Sequence, residues 1–96
     1  MGIIETIGNF VEDTVKKMVD DSNSVKVDVN VSTKNVIIQV QADKSDLGKI
    51  IGKKGRNIDS LNIITSAIKN TKFPEDKRSI SIEIIEDEDS NFNRKD

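Results

Sequence analysis

The segment Gly52-Lys53-Lys54-Gly55 holds the densest chemistry in the sequence. A glycine has no Cβ, so it adopts positive φ without strain and lets a second backbone approach closely. Helical spacing resumes on both sides, which makes the four residues a turn between helices. The second helix therefore begins here, with unpaired N–H groups and the positive end of its dipole. Amides, dipole and two ammonium groups converge on a site suited to phosphate oxygens. Residues 44–56 carry Lys44, Lys49, Lys53, Lys54 and Arg56 against Asp46 alone, a local charge of +4 in a chain whose net charge is −2.

A nucleoside-triphosphate loop is the rival for such a segment. It needs four residues between its glycines, then a lysine followed by Ser or Thr on the metal. Gly48 and Gly52 enclose only three residues, and Lys54 stands where the hydroxyl belongs. The chain contains no His, Cys, Trp or Tyr. That removes imidazole acid–base catalysis, thiolate nucleophiles, disulfides and His/Cys metal sites. Ser60 and Ser66 have no base to activate them, and neither Asp46 nor Asp59 belongs to a hydrolytic constellation. The expectation is a binding protein and not an enzyme, with no metal and no cofactor. No apolar run approaches the ~18 residues of a membrane span. The start lacks the basic region of a secretory signal, and the absence of cysteine fits the cytoplasm. Met1-Gly2 with Thr6 matches a myristoylation pattern, but these residues read better as the first turn of an amphipathic helix.

One small domain must hold these groups, because 96 residues build a single thin core. Ile4, Ile7, Val11, Val15 and Met18 recur at three- and four-residue steps, which predicts an amphipathic helix over 3–19. Residues 20–24 are a turn-forming cluster. Val25, Val27, Val29 and Val31 alternate with polar residues, residues 32–35 turn, and Val36, Ile38, Val40 and Ala42 resume the alternation. That pattern is an antiparallel hairpin. Residues 43–46 offer N-caps to a short helix carrying Leu47, Ile50 and Ile51. Beyond the turn, Ile58, Leu61, Ile64 or Thr65, and Ile68 restart helical spacing to about residue 70. A loop with the only proline, Pro74, precedes a third strand marked by Ile80, Ile82 and Ile84. Each strand is apolar on one face only, so the helices cover one face of the sheet, and the two-helix crossover permits parallel pairing of the third strand. Periodicity stops at Glu86, so a domain over 1–85 and an acidic, unstructured tail over 86–96 are expected.

The string from Leu47 to Ile58, LGKIIGKKGRNI, resembles the I-G-x-x-G signature of KH domains. The order α-β-β-α-α-β is similar to their type II, bacterial arrangement over residues from about 9 to 85. Among these the chain most resembles the small stand-alone bacterial KH proteins of the KhpA type. The resemblance implies an α+β, type II KH domain whose three-stranded mixed sheet is covered on one face by three helices. It implies binding of single-stranded RNA, with about four nucleotides clamped at the loop. Roles in RNA chaperoning or post-transcriptional regulation, and in cell shape and cell-wall biogenesis, are further implications. So are two partners besides RNA: a second copy in a homodimer, and a larger KH protein of the KhpB (Jag, EloR) type.

On that resemblance Gly52 and Gly55 let the sugar-phosphate backbone lie against the loop while Lys49, Lys53, Lys54 and Arg56 supply charge. Ile51 and Ile58, with Ile50 and Leu61, would line an apolar groove for bases, part of the four being core. Lys72, Lys77 and Arg78 would form the opposite lip. The alternative is a KH scaffold acting mainly through dimerisation, motivated by Ile3, Ile4, Ile7 and Phe10. Phe73 is the one aromatic residue that the sequence leaves as a candidate to come near the turn, so stacking is expected to be weak and the affinity of one domain modest and salt-dependent.

Overall fold

Strand β2 (Asn35–Gln41) lies at the centre of the molecule. Val36, Ile38 and Val40 are fully buried while Ile37 and Gln39 between them are half-exposed, the period of two of a strand with one covered face. In the computed structural model, which describes residues 2–86, β1 (Lys26–Val31) pairs with it antiparallel and β3 (Ser79–Ile84) pairs with it parallel. Val29 stands opposite Ile38, and Ile38 opposite Ile82, so the register lines up one apolar row across the sheet. On the other face Asn30 donates to Gln39 Oε1 at 2.8 Å.

Helix α1 (Ile3–Met18) buries Ile7, Val11 and Val15, one residue per turn. Its N-terminus is closed by Glu5, which accepts the Gly2 N–H at 3.0 Å, and Lys16 and Lys17 sit at the negative end of its dipole. α1 packs on β1 and on α3 (Arg56–Lys72), α3 packs on β3, and the five-residue α2 (Leu47–Ile51) packs on α3. Ile50 and Leu61 complete the core between helices and sheet. The expected α+β order, mixed sheet and single covered face are all present. Ile7 belongs to the core, with Ile3 and Phe10 packed against it, so of the apolar residues that suggested a docking face on α1 only Ile4 is exposed. Residues 87–96 of the expected tail lie outside the described residues.

Helix α3 turns an unusual stripe inward: Leu61, Thr65 and Lys69. Thr65, not Ile64, continues the line of Leu61, leaving Ile63 and Ile64 at 69% and 47% exposure. Lys69, 7% exposed, threads its stem along the core, and its amine donates to the carbonyls of Asp76 and Arg78 at 2.7 and 2.8 Å. Arg78 in turn grips the Asp76 carboxylate at 2.6 and 2.9 Å. The guanidinium holds that carboxyl well below the usual carboxylate range. The loop before β3 is thus fastened by its own charges. Asn62 Oδ1 accepts the N–H of Ile82 at 2.9 Å, so α3 covers a donor on the free edge of β3.

One polar atom lacks such a partner. Thr65 Oγ1 is buried with no hydrogen bond among the described residues, and a buried unpaired hydroxyl costs roughly 1–3 kcal/mol. Thr65→Val is isosteric and is expected to raise the unfolding free energy by about 1 kcal/mol, measured as an increased urea midpoint. A lowered midpoint would contradict the assignment.

Candidate nucleic-acid interface

Helices α2 and α3 are joined by four residues, of which three have positive φ: Gly52 (79°), Lys54 (56°) and Gly55 (76°). Gly52 ends α2 by donating its N–H to Gly48 at 2.8 Å, and its carbonyl accepts from Gly55 at 3.0 Å. The N–H of Arg56 goes to the Lys53 carbonyl, so part of the amide set expected to be naked at this helix start is used to shape the turn. Gly52 is also sterically required. A Cβ there would lie 2.6 Å from Asn57 Cγ and 2.8 Å from Asn57 Cβ. Gly55 has open space around it, so only its left-handed conformation calls for glycine. Lys54 holds a similar conformation with a side chain present, an uncommon state for a residue other than Gly, Asn or Asp.

Asn57 is a residue that spacing did not single out. Its Nδ2 donates to the Lys49 carbonyl at 2.8 Å, binding the last turn of α2 to the first turn of α3 across the loop. The signal was present in the residue type, since Asn in a helix competes for local backbone partners and favours termini. Lys53, Lys54 and Arg56 are exposed and make no ion pair among the described residues. Ile51, beside them, is exposed. Ile58 is half-buried against the core, while Ile50 and Leu61 are inside it. Of the four candidates for an apolar groove, Ile51 and the outer edge of Ile58 are therefore the two within reach of a ligand.

Lys49 has a different setting. Its amine lies 3.3 Å from Asp46 Oδ1 and 3.4 Å from Asp20 Oδ2, and hydrogen bonding to both carboxylates raises its pKa. Asp46 is 1% exposed, a depth no N-cap candidate needs. It accepts the backbone N–H groups of Asp20 at 3.2 Å and Asp21 at 3.0 Å, fastening the α1–β1 connection to the start of α2. The donated N–H of Asp21 is the main cause of its lowered pKa, with the N–H of Asp20 and the Lys49 amine adding to it against the opposing effect of burial.

Lys77 and Arg78 are not brought to this end. Ser79 pairs with Asn35 at the hairpin turn, whereas Ile84 pairs with Val40 where the chain leads on to α2. The loop before β3 thus stands at the far end of α3, about 25 Å from the glycine turn at 1.5 Å per residue over the 17 residues of that helix. There Lys77 is exposed beside a cleft shared with Lys34 and Ser79, and Arg78 is committed to Asp76. Lys72, the last residue of α3, is at that end too. The expected opposite lip is displaced because the crossover helix carries its C-terminal loop to the start of β3. The segment that flanks α2 is instead the α1–β1 connection, held by Asp46.

Because the folded-state pKa of Asp46 is depressed, its contribution to stability is full above the ordinary carboxylate range. It is lost as pH falls through the folded value. Asp46→Asn is expected to lower the melting temperature at neutral pH and to close the gap with the parent chain below about pH 4. Thermal melts across pH 2–8 check this, and a gap that widens in acid would contradict it.

The profile of the family described as KhpA/KhpB, KH domain, matches residues 8–84. A protein named RNA-binding protein KhpA from Aquifex aeolicus is 37% identical over 65 residues, covering 68% of this chain and 82% of that protein. One of the same name from Caldanaerobacter subterraneus is 32% identical over 79 residues, covering 82% of this chain and 100% of its own length. Another, from Chlamydia trachomatis, is 31% identical over 78 residues, covering 81% of this chain and 95% of that protein. With the glycine-flanked turn set between α2 and α3, and a match that runs from the second turn of α1 to the end of β3, the chain belongs to the KhpA/KhpB family of KH-domain proteins.

Proposed function

We propose that the chain binds single-stranded RNA, without catalysis, by clamping the sugar-phosphate backbone at residues 52–55. The observation that carries this is the loop itself: three positive-φ residues in four, with Lys53, Lys54 and Arg56 pointing to solvent and unpaired among the described residues. Glycines at both ends let a phosphate approach the backbone, and the lysines neutralise it. Ile51 and the edge of Ile58 offer apolar contact to bases, and Lys49, one helical turn before Gly52, reaches a phosphate by exchanging one of the two carboxylates that share its amine. Lys77 takes part where the bound strand runs the length of α3, and Arg78, paired with Asp76, holds the loop that presents it. The relatives' printed name, RNA-binding protein, supports the same reading. In the cell it corresponds to an RNA chaperone or post-transcriptional regulator in the cytoplasm, acting on cell-shape and cell-wall functions.

A second copy is the partner that the surface of α3 favours. Ile63 and Ile64 are exposed next to Ala67, Ile68 and Thr71, an apolar strip on a helix whose opposite side faces the core. A KhpB-type KH protein is the alternative occupant. Ile63→Glu with Ile64→Glu is expected to convert a dimer to a monomer in sedimentation at varied concentration, while the circular dichroism spectrum stays unchanged. A wild-type chain that is monomeric at all concentrations would remove the proposal.

For RNA binding, Lys53→Asp with Lys54→Asp tests the clamp directly. The fold should persist, since both side chains are exposed and aspartate tolerates the left-handed conformation of residue 54 better than most residues. Binding to a single-stranded oligonucleotide is expected to disappear. Neutral variants at both positions should lower the slope of log affinity against log salt by about 1.4. Undiminished binding by the aspartate pair would overturn the clamp.

A further inference from the structure

Lys49 is the one cation beside the loop whose charge is already spoken for. Its amine sits between Asp46, which is buried, and Asp20, whose side chain is 85% exposed. The two carboxylates have different standing. Asp46 is tied down by two backbone N–H groups besides the amine. The Asp20 carboxylate has no partner but Lys49 among the described residues, and its contribution to the fold is its backbone N–H, given to Asp46. Two negative charges against one positive leave this corner net anionic, three residues before Gly52.

We propose that Asp20 limits affinity for RNA by occupying the solvent-facing side of the Lys49 amine, where a phosphodiester oxygen of a bound strand would otherwise sit. The proposal rests on the phosphate-clamp reading above and deepens it. Ligand and Asp20 are the same kind of partner for the amine, a singly charged oxygen anion, so they compete for one position. An exposed pair of this kind is weak, and RNA displaces it at a modest loss of affinity. With Asp20 neutral, the solvent-facing side of the Lys49 amine is open to a phosphate oxygen and the corner carries one negative charge fewer.

The test is a double-mutant cycle with a fluorescein-labelled oligouridylate about 12 nucleotides long, titrated at several salt concentrations. Asp20→Asn keeps the backbone N–H that Asp46 accepts. It is expected to tighten binding about two- to fivefold at low salt and to steepen the single-strand salt slope by about 0.7, one additional phosphate. In a Lys49→Gln background the same change should shrink to the general effect of removing one negative charge, the size given by the Asp21→Asn control. Asp21→Asn removes an equal charge one residue on, without touching Lys49, and should give a smaller change. Since Lys49→Gln leaves Asp46 short of a cation, a second readout uses the intact pair. The ζ-15N resonance of Lys49 should move more on RNA addition in Asp20→Asn than in the parent chain. Unchanged affinity in Asp20→Asn, or tightening that survives undiminished in the Lys49→Gln background, would overturn the proposal. Loss of the clamp reading would appear separately, as undiminished binding by the Lys53, Lys54 aspartate pair.

Discussion

The conformation of Gly52 is the constraint on which the rest depends. Two helices must meet within four residues, and the first of those four has φ of 79° with Asn57 occupying the space a side chain would need. Any other residue there would push α3 away from α2, and with it the packing of α3 on β3 that positions the loop against the sheet. The energetic importance of this small turn lies in how much it aligns. Ile50 on one side and Leu61 on the other are core residues, so the turn cannot drift without opening the core.

Around that turn, charge is arranged by commitment more than by number. The basic stretch over 44–56 stands out in a chain of net charge −2, yet its cations are not equivalent. Lys53, Lys54 and Arg56 are open to solvent, whereas Lys49 is shared between two carboxylates. At the other end of α3, Lys69 and Arg78 are spent on the loop before β3. The surface is therefore uneven, with its most available positive charge concentrated where backbone and glycine allow an anion the closest approach.

Periodicity revealed the elements of this fold because α1 and the three strands are apolar on one side, and that asymmetry is what a one-layer core requires. Helix α3 keeps helical spacing with Ile63 and Ile64 on its outer face. The loop was equally legible, since two glycines around two lysines between helices have few structural alternatives. Three features were not, for separable reasons. Thr65 rather than Ile64 faces inward because the stripe from Leu61 runs through positions 65 and 69, and a lysine at 69 does not register as a core residue on any hydropathy pattern. Asp46 reads as one more polar residue in a capping cluster, and its burial depends on a connection twenty-five residues earlier in the chain. The displacement of Lys77 and Arg78 follows from the parallel register of β3 with β2, which fixes which end of α3 each loop occupies. The last two are long-range facts, invisible to local spacing, whereas the first is a choice between two neighbours that local spacing left open.

The most direct measurement is a nuclear magnetic resonance titration of the 15N-labelled chain with a short single-stranded RNA. The amide signals of residues 51–57 should move first and furthest, saturating together with those of the α1–β1 connection at residues 20–25. Signals at the hairpin turn and the loop before β3 should respond less to a strand of four nucleotides. If the signals of residues 52–55 stay in place while others shift, RNA does not dock on the glycine turn and the account fails.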